Sequence, residues 1–268
     1  MAASVTIGDQ LRSWRQQRRL SQLDLACEAN ISARHLSFVE TGRAQPSRAM
    51  LLHLCEQLQV PLRERNRLLL SAGFAPIFPE RALDDPALGA AREAIELVLT
   101  GHEPYPVLAV DRHWHLVSAN QAVARLLDGI DPALLAPPVN ALRISLHPKG
   151  LAPRIRNLAA WRGHLLARLR QQMDLCADPA LIALHDELKG YPAPAPGRPE
   201  ASADGAAMVV PLMLATERGE LSLFSTTTVF GTPIDVTLSQ LAIEAFYPAD
   251  AATAEALRLL GADRPLHA

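Results

Sequence analysis

The sequence predicts an all-α bundle of five short helices followed by an α+β domain with an antiparallel sheet. Three observations carry this. Residues 7–72 place apolar side chains at helical spacing between capping residues, with no strand-like run. Residues 74–86, FAPIFPERALDDP, hold three prolines and read as a linker. Beyond them, strand-like runs open and close the remaining segment, with helical stretches between. The domains are therefore expected at 1–73 and 87–268, joined by 74–86.

The first helix, about 7–18, puts Leu11 and Trp14 on one face, with Arg12, Arg15, Arg18 and Arg19 around it. Ser21 caps a second helix that runs to about Glu28. Ser32 caps a third, which ends near Thr41 and Gly42. Pro46-Ser47 opens a fourth, where Leu51, Leu52, Leu54, Cys55 and Leu58 form an apolar stripe. Pro61 stands in the first turn of a fifth, where its missing N–H is harmless, and that helix continues to Gly73.

The rear domain begins with a helix over 87–100 that has Ile95, Val98 and Leu99 on one side. A hairpin follows: Val107–Val110, a turn near Asp111-Arg112, then Trp114–Ser118. Helices are expected over 120–128, 153–176 and 178–189, then an irregular loop, YPAPAPGRPEASADG. Three strands close the chain, over 207–216, 220–230 and 238–247, with Glu217-Arg218-Gly219 turning between the first two. Two strands, several helices and three more antiparallel strands give the order of a PAS-like sensory sheet with helices on one face.

Composition narrows the function classes. Hydrophobic residues make up 49% of the chain, enough for a substantial core. No run of about eighteen uncharged apolar residues occurs, so no membrane span is expected. The first twenty residues lack an apolar segment before a cleavage site, so no secretory signal is expected. Cys27, Cys55 and Cys176 form no CxxC pair and read as small hydrophobes in a reducing cytoplasm. The net charge of −2 conceals an asymmetry: residues 1–75 hold ten Lys or Arg against six Asp or Glu, and residues 76–268 hold sixteen against twenty-two. A basic front on an acidic remainder suits a phosphate-binding domain joined to one with another task.

The most specific segment is 22–41, QLDLACEANISARHLSFVET. Leu25, Ala26, Ile31, Leu36 and Val39 are apolar where two short helices crossing steeply must touch, and Ala26 is small at the closest approach. Asn30 stands at the turn, which needs a residue that tolerates a left-handed backbone. This is a helix-turn-helix pattern. Its outward residues Ser32, Arg34, His35 and Ser37 suit base edges in the major groove, with Arg34 the bidentate reader of guanine. Gln22 would lie beside a phosphate at a helix N-terminus, and Arg43 and Arg48 would clamp the backbone. Phe38 would either pack on a thymine methyl or sugar, or fold back onto the bundle. Glu40 would repel phosphate, so it is expected to pair with an arginine inside the domain. The expected partner is a double-stranded DNA operator, bound by a homodimer because one short helix reads few base pairs.

Ser21-Gln22, Leu25-Ala26, Ile31-Ser32, Val39-Glu40-Thr41-Gly42-Arg43 and Pro46-Ser47 resemble the Cro/C1-type (XRE-family), lambda-repressor-like helix-turn-helix domains over about residues 7–70. The run ARHLSFVETGRAQPSRAMLLHLCEQLQVPLRERNRLLLSAGFAP is similar to regulators carrying an MmyB-like ligand-binding domain. So are WHLVSANQAVARLL, NALRISLHPKGLAPRIRNLAAWRGHLLARLR and the closing LSLFSTTTVFGTPIDVTLSQLAIEAFYPADAATAEALRLL. The resemblance implies a dimeric bacterial transcriptional regulator whose PAS-like domain senses a small, apolar, fatty-acid-like effector. Many such domains carry a polar residue where Phe38 stands here.

In the rear domain, Trp114, Trp161, Phe224 and Phe246 are large aromatics on expected sheet and helix faces, suited to a ligand pocket or to core packing. Asn120 opens a helix after a strand, as an N-cap or as a ligand contact. Arg143 offers a guanidinium to a ligand carboxylate or to a surface ion pair. His113 and His115 alternate across Trp114 and would face opposite ways on a strand, so no metal site is expected. HExxH, Gly-x-Ser-x-Gly and phosphate-cradling glycine loops are absent from the sequence, so neither catalytic residues nor an enzyme activity is expected. The only expected cofactor is a bound fatty acid or other small apolar ligand. The alternative role for the rear domain is a ligand-free dimerisation or protein-interaction module.

Overall fold

Five helices build the front unit of the computed structural model, which describes residues 6–176, 178–192, 210–231 and 233–262. They are α1 (Ile7–Gln17), α2 (Gln22–Glu28), α3 (Ala33–Glu40), α4 (Arg48–Gln57) and α5 (Leu62–Ser71). Local chemistry sets their starts. Thr6 with Asp9 and Ser21 with Asp24 form reciprocal capping boxes, and Ser32 and Ser47 accept from the backbone N–H of His35 and Met50. Pro61 sits at the N-cap of α5, one residue outside the helix. Asn30 takes the left-handed conformation at φ 50°, which turns the chain from α2 into α3. Leu25, Ala26, Leu36 and Val39 are buried at the crossing, with Leu11, Leu51, Leu54 and Leu68 completing the core. Burial pushes the Cys55 thiol up to about 12, so it behaves as a hydrophobe. At Gly8, a Cβ would lie 2.6 Å from the carbonyl oxygens of Val39 and Glu40, so α1 approaches the end of α3 as closely as only glycine permits.

The rear unit runs through α6 (Gly89–Gly101), β1 (Val107–Val110), β2 (Leu116–Ala119), α7 (Gln121–Leu126), α8 (Ala141–Leu146), α9 (Leu158–Cys176), α10 (Pro179–Gly190), β3 (Leu212–Thr216) and β4 (Gly219–Val229). After the one-turn helix α11 (Val236–Ser239) come β5 (Ala242–Pro248) and α12 (Ala251–Ala262). The five strands pair antiparallel in the order β2-β1-β5-β4-β3, so the unit is a PAS-like α+β domain. Leu108, Glu244 and Thr227 stand abreast on β1, β5 and β4 and therefore share one sheet face. Trp161, Leu165 and Leu169, spaced by four on α9, bury one stripe of that helix.

Several boundaries differ from expectation, three of them for a visible local reason. Residues 111–115 form a turn rather than part of a strand, because the Asp111 carboxylate accepts the backbone N–H groups of both His113 and His115. Trp114 is left-handed there, at φ 66°. The helix expected from 153 starts at Leu158, since the Asn157 side chain donates to the carbonyl of Pro211 and accepts from Met213, tying residue 157 to β3. The last strand starts at Ala242, not 238, because residues 236–239 take a helical turn. Residues 193–205 of the expected loop and 207–209 of the third expected strand lie outside the described residues.

The front unit also takes in residues 74–83 and 233–239. The Asn66 side chain accepts from the backbone N–H of Ile77 and Phe78 and donates to the carbonyl of Phe78, which folds the proline-rich segment onto α5. Buried Asp235 accepts from Arg81 at 2.9 Å, Val236 N–H donates to the carbonyl of Pro79, and the Thr237 hydroxyl donates to that of Arg81. α11, although it lies between β4 and β5 in the chain, is thus packed within the front unit.

Candidate functional site

On α3, the apolar residues Leu36 and Val39 face the bundle, leaving Ser32 and Arg34 exposed and His35, Ser37 and Phe38 half-buried. Phe38 rests between two cations: the guanidinium carbons of Arg34 and Arg43 lie 5.4 and 5.9 Å from its ring centre. The aromatic therefore steadies the arginine expected to read guanine and one of those expected to hold phosphate. Arg43 and Arg48 are exposed. Gln22 stands at the first residue of α2, the position expected beside a phosphate. Its side-chain N–H donates to Glu40 at 2.7 Å, because that buried carboxylate needs donors. Glu40 is 1% exposed and also accepts from Arg15 at 2.7 and 2.9 Å. Burial alone would push the Glu40 carboxyl up, but Arg15, Gln22 and Arg12 outweigh it and hold the carboxyl below its ordinary range.

In the rear unit, a cavity of about 100 Å³ lies between the sheet and helices α7, α8 and α9. Alternation on the strands brings Leu108, Leu223, Ser225, Glu244 and Phe246 to it, and α9 contributes Trp161, Leu165 and Arg168 at helical spacing. Both indole N–H groups are satisfied: Trp114 Nε1 donates to Gln172 Oε1, and Trp161 Nε1 to Ser145 Oγ, each at 2.9 Å. Arg168 and Glu244 are the ionisable members of the lining. They meet in a bidentate pair at 2.6 and 3.2 Å, while the Thr227 hydroxyl accepts from Arg168 and donates to Glu244. The Arg168 guanidinium carbon lies 5.0 Å from the Trp114 ring centre.

These two surfaces correspond to known families. Residues 6–68 match a helix-turn-helix domain, and residues 91–260 match the MmyB-like transcription regulator ligand binding domain. The chain belongs to the MmyB-like transcription regulators. It joins a helix-turn-helix DNA-binding domain to a ligand-binding domain, both of them domains of transcription regulation. No curated protein matches the MmyB-like chain. Among solved structures, an RNA-binding light-oxygen-voltage receptor aligns over 97% of this chain and 65% of its own, at 15% identity and a TM-score of 0.25. The chain thus spans slightly under two thirds of that receptor. No helix among the described residues is long and apolar enough to cross a membrane.

In the MmyB-like unit, Trp114, Trp161 and Phe246 line the cavity, whereas the other anticipated ligand residues sit elsewhere. Phe224 lies on the opposite sheet face, stacked on its strand partner Tyr247 at 5.3 Å, because its neighbours Leu223 and Ser225 take the cavity side. Asn120 is a buried N-cap that also fixes the backbone of Tyr105 and Val107. Arg143 is held by Glu187 in two hydrogen bonds of 2.8 Å, so its guanidinium is committed. Glu244 and Arg168 were not anticipated. The available signal was a lone carboxylate inside the otherwise apolar run LAIEAF, in phase with Phe246.

The two histidines also depart from expectation. With 111–115 in a turn, Asp111, His113 and His115 bring their potential ligand atoms within 4.8 Å of one another instead of facing opposite ways. Each is engaged by a hydrogen bond: His115 Nδ1 with Asp111 at 3.1 Å, and His113 Nε2 with Asp178 at 3.0 Å. Burial would raise the Asp178 carboxyl, but His113, the Ala180 N–H and Arg112 hold it low.

Proposed function

We propose that this MmyB-like regulator binds a double-stranded operator as a homodimer through the outward face of α3. A small apolar molecule with a fatty-acid-like alkyl body, held in the rear cavity, sets the affinity for that operator. The observation that carries the sensing half is the cavity itself. Among the described residues its lining is mostly apolar, chiefly Leu with Ile144, Phe246, Trp114 and Trp161; both indole N–H groups are satisfied, and its two charged members, Arg168 and Glu244, are paired with each other. An apolar cavity of roughly 150 Å³ stays dry and takes up benzene; this one, at about 100 Å³, is of the same kind but smaller, so its walls must move apart to receive an alkyl ligand. A ligand-free interaction module would fill it with side chains. The DNA-reading half rests on exposed Ser32 and Arg34, with Arg34 and Arg43 flanking Phe38.

Selection of bound duplexes from a random pool by the full chain, followed by titration of the enriched sequence with and without cell lipid extract, tests both halves. The expected result is a motif with two half-sites and an affinity that ligand changes about 5- to 150-fold, the usual span of allosteric coupling. Failure to retain any duplex at low salt overturns DNA reading. A lipid-indifferent affinity, with no small molecule detected on the protein by native mass spectrometry, overturns sensing.

A further inference from the structure

We infer that Glu244 makes the rear cavity select against carboxylates, so that its ligand is an uncharged molecule with an apolar body and a neutral hydrogen-bonding head such as an alcohol, ketone or ester. This rests on the reading of the cavity as a ligand site.

Arg168 is the cation that would attract an acid, and its charge is already matched. Glu244 binds it through both carboxylate oxygens, at 2.6 and 3.2 Å, and Thr227 closes the network. The Glu244 side chain is only 4% exposed, so its charge is poorly screened by water. A ligand carboxylate reaching Arg168 would have to stand beside a second buried carboxylate or displace it. The first arrangement sets like charges together in a low dielectric, and the second strands Glu244 without its partner. Either way the pair rejects an acid that the apolar walls would otherwise accept.

A neutral head meets no such obstacle. Ser145 and Ser225 line the same cavity, and Ser145 accepts the Trp161 N–H, which leaves its own hydroxyl hydrogen to donate. The position of Glu244 is fixed by strand register, between Leu108 on β1 and Thr227 on β4 and two residues before Phe246. The carboxylate is therefore built into the cavity wall rather than reaching it from a loop.

The test compares 1-octanol with octanoate near pH 7.5, by calorimetric titration of the full chain and of Glu244→Gln. Gln keeps the size of Glu244 and one acceptor oxygen, loses the second hydrogen bond from Arg168, and releases the charge of Arg168. Wild type is expected to bind octanol at least about tenfold tighter than octanoate, and Glu244→Gln to reverse that order. Octanoate bound by wild type as tightly as octanol overturns the charge-selection proposal and leaves the cavity reading intact. So does an unchanged preference in Glu244→Gln. Binding of neither probe, with no ligand detected on the purified protein, overturns the cavity reading and this proposal with it. Circular dichroism of Glu244→Gln shows whether it folds; if it does not, the wild-type comparison alone decides.

Discussion

Arg15 on α1 and Glu40 at the end of α3 are joined by two parallel hydrogen bonds of 2.7 and 2.9 Å, with Glu40 almost wholly removed from water. The pair ties the end of α3, the helix proposed to read DNA, to α1. Because the folded carboxyl is held below its ordinary range, the unfolded chain protonates first as pH falls. The stability it contributes is complete above the unfolded value, about 4.3, and is lost as pH drops through the folded value. Glu40→Gln leaves Arg15 buried with a neutral partner and is expected to cost about 3 kcal/mol at pH 7. Urea unfolding at pH 7 and pH 4 checks this, since the gap between variant and wild type should narrow in acid.

Gly8→Ala tests the same helix contact without touching a charge. The added methyl would lie 2.6 Å from two backbone carbonyls, which cannot turn aside as a side chain would. Separation of α1 from α3 should cost about 1–3 kcal/mol, the usual range for overpacking. Thermal unfolding of the full chain reads the loss. A transition at the wild-type temperature would mean that the bundle yields more easily than this geometry allows.

Arg34 and Arg43 flank one aromatic ring but are expected to do different work. Arg34→Ala should lower affinity for the operator while sparing random duplex, a loss of about 1–3 kcal/mol in discrimination. Arg43→Ala should weaken both alike and reduce the slope of log affinity against log salt by about one. Competition binding at several salt concentrations separates the two. Equal losses on operator and random DNA from Arg34→Ala would remove its base-reading role.

Local signals explain how far the sequence could be read. Ser21, Ser32, Ser47 and Asn30 each act within about four residues of their own position, through caps or a left-handed turn, so the front unit was legible directly. Aromatic content pointed to the rear cavity, but strand phase decided which rings reach it. Phe224 and Phe246 pair off to opposite faces because Phe224 stands across from Tyr247 and Ser225 from Phe246. That register is set by partners in another strand and leaves no local trace. The Arg168–Glu244 pair joins residues 76 positions apart, and sequence spacing alone carried no sign of it. The turn at 111–115 hid for a smaller reason: one Asp111 carboxylate captures two backbone N–H groups and delays β2 until Leu116.

Leu165→Phe should separate ligand response from DNA binding. Leu165 is 4% exposed and stands on α9 between Trp161 and Arg168, four residues after the one and three before the other, with its side chain on the cavity. Elsewhere in a packed core, a larger side chain would force its neighbours apart. Here about 100 Å³ of apolar space is available beside it, so the ring can be accommodated near the wild-type rotamers and the usual overpacking penalty is avoided. Unfolding free energy is therefore expected to stay within about 0.5 kcal/mol of wild type. The narrowed cavity should reduce any ligand-dependent rise in melting temperature, while affinity for the enriched operator stays near its ligand-free level. Scanning calorimetry and operator titration, each with and without 1-octanol, measure the two effects. A variant that responds to ligand as strongly as wild type would place the effector outside this cavity, and a large loss of stability would mean that the space beside Leu165 cannot receive the ring.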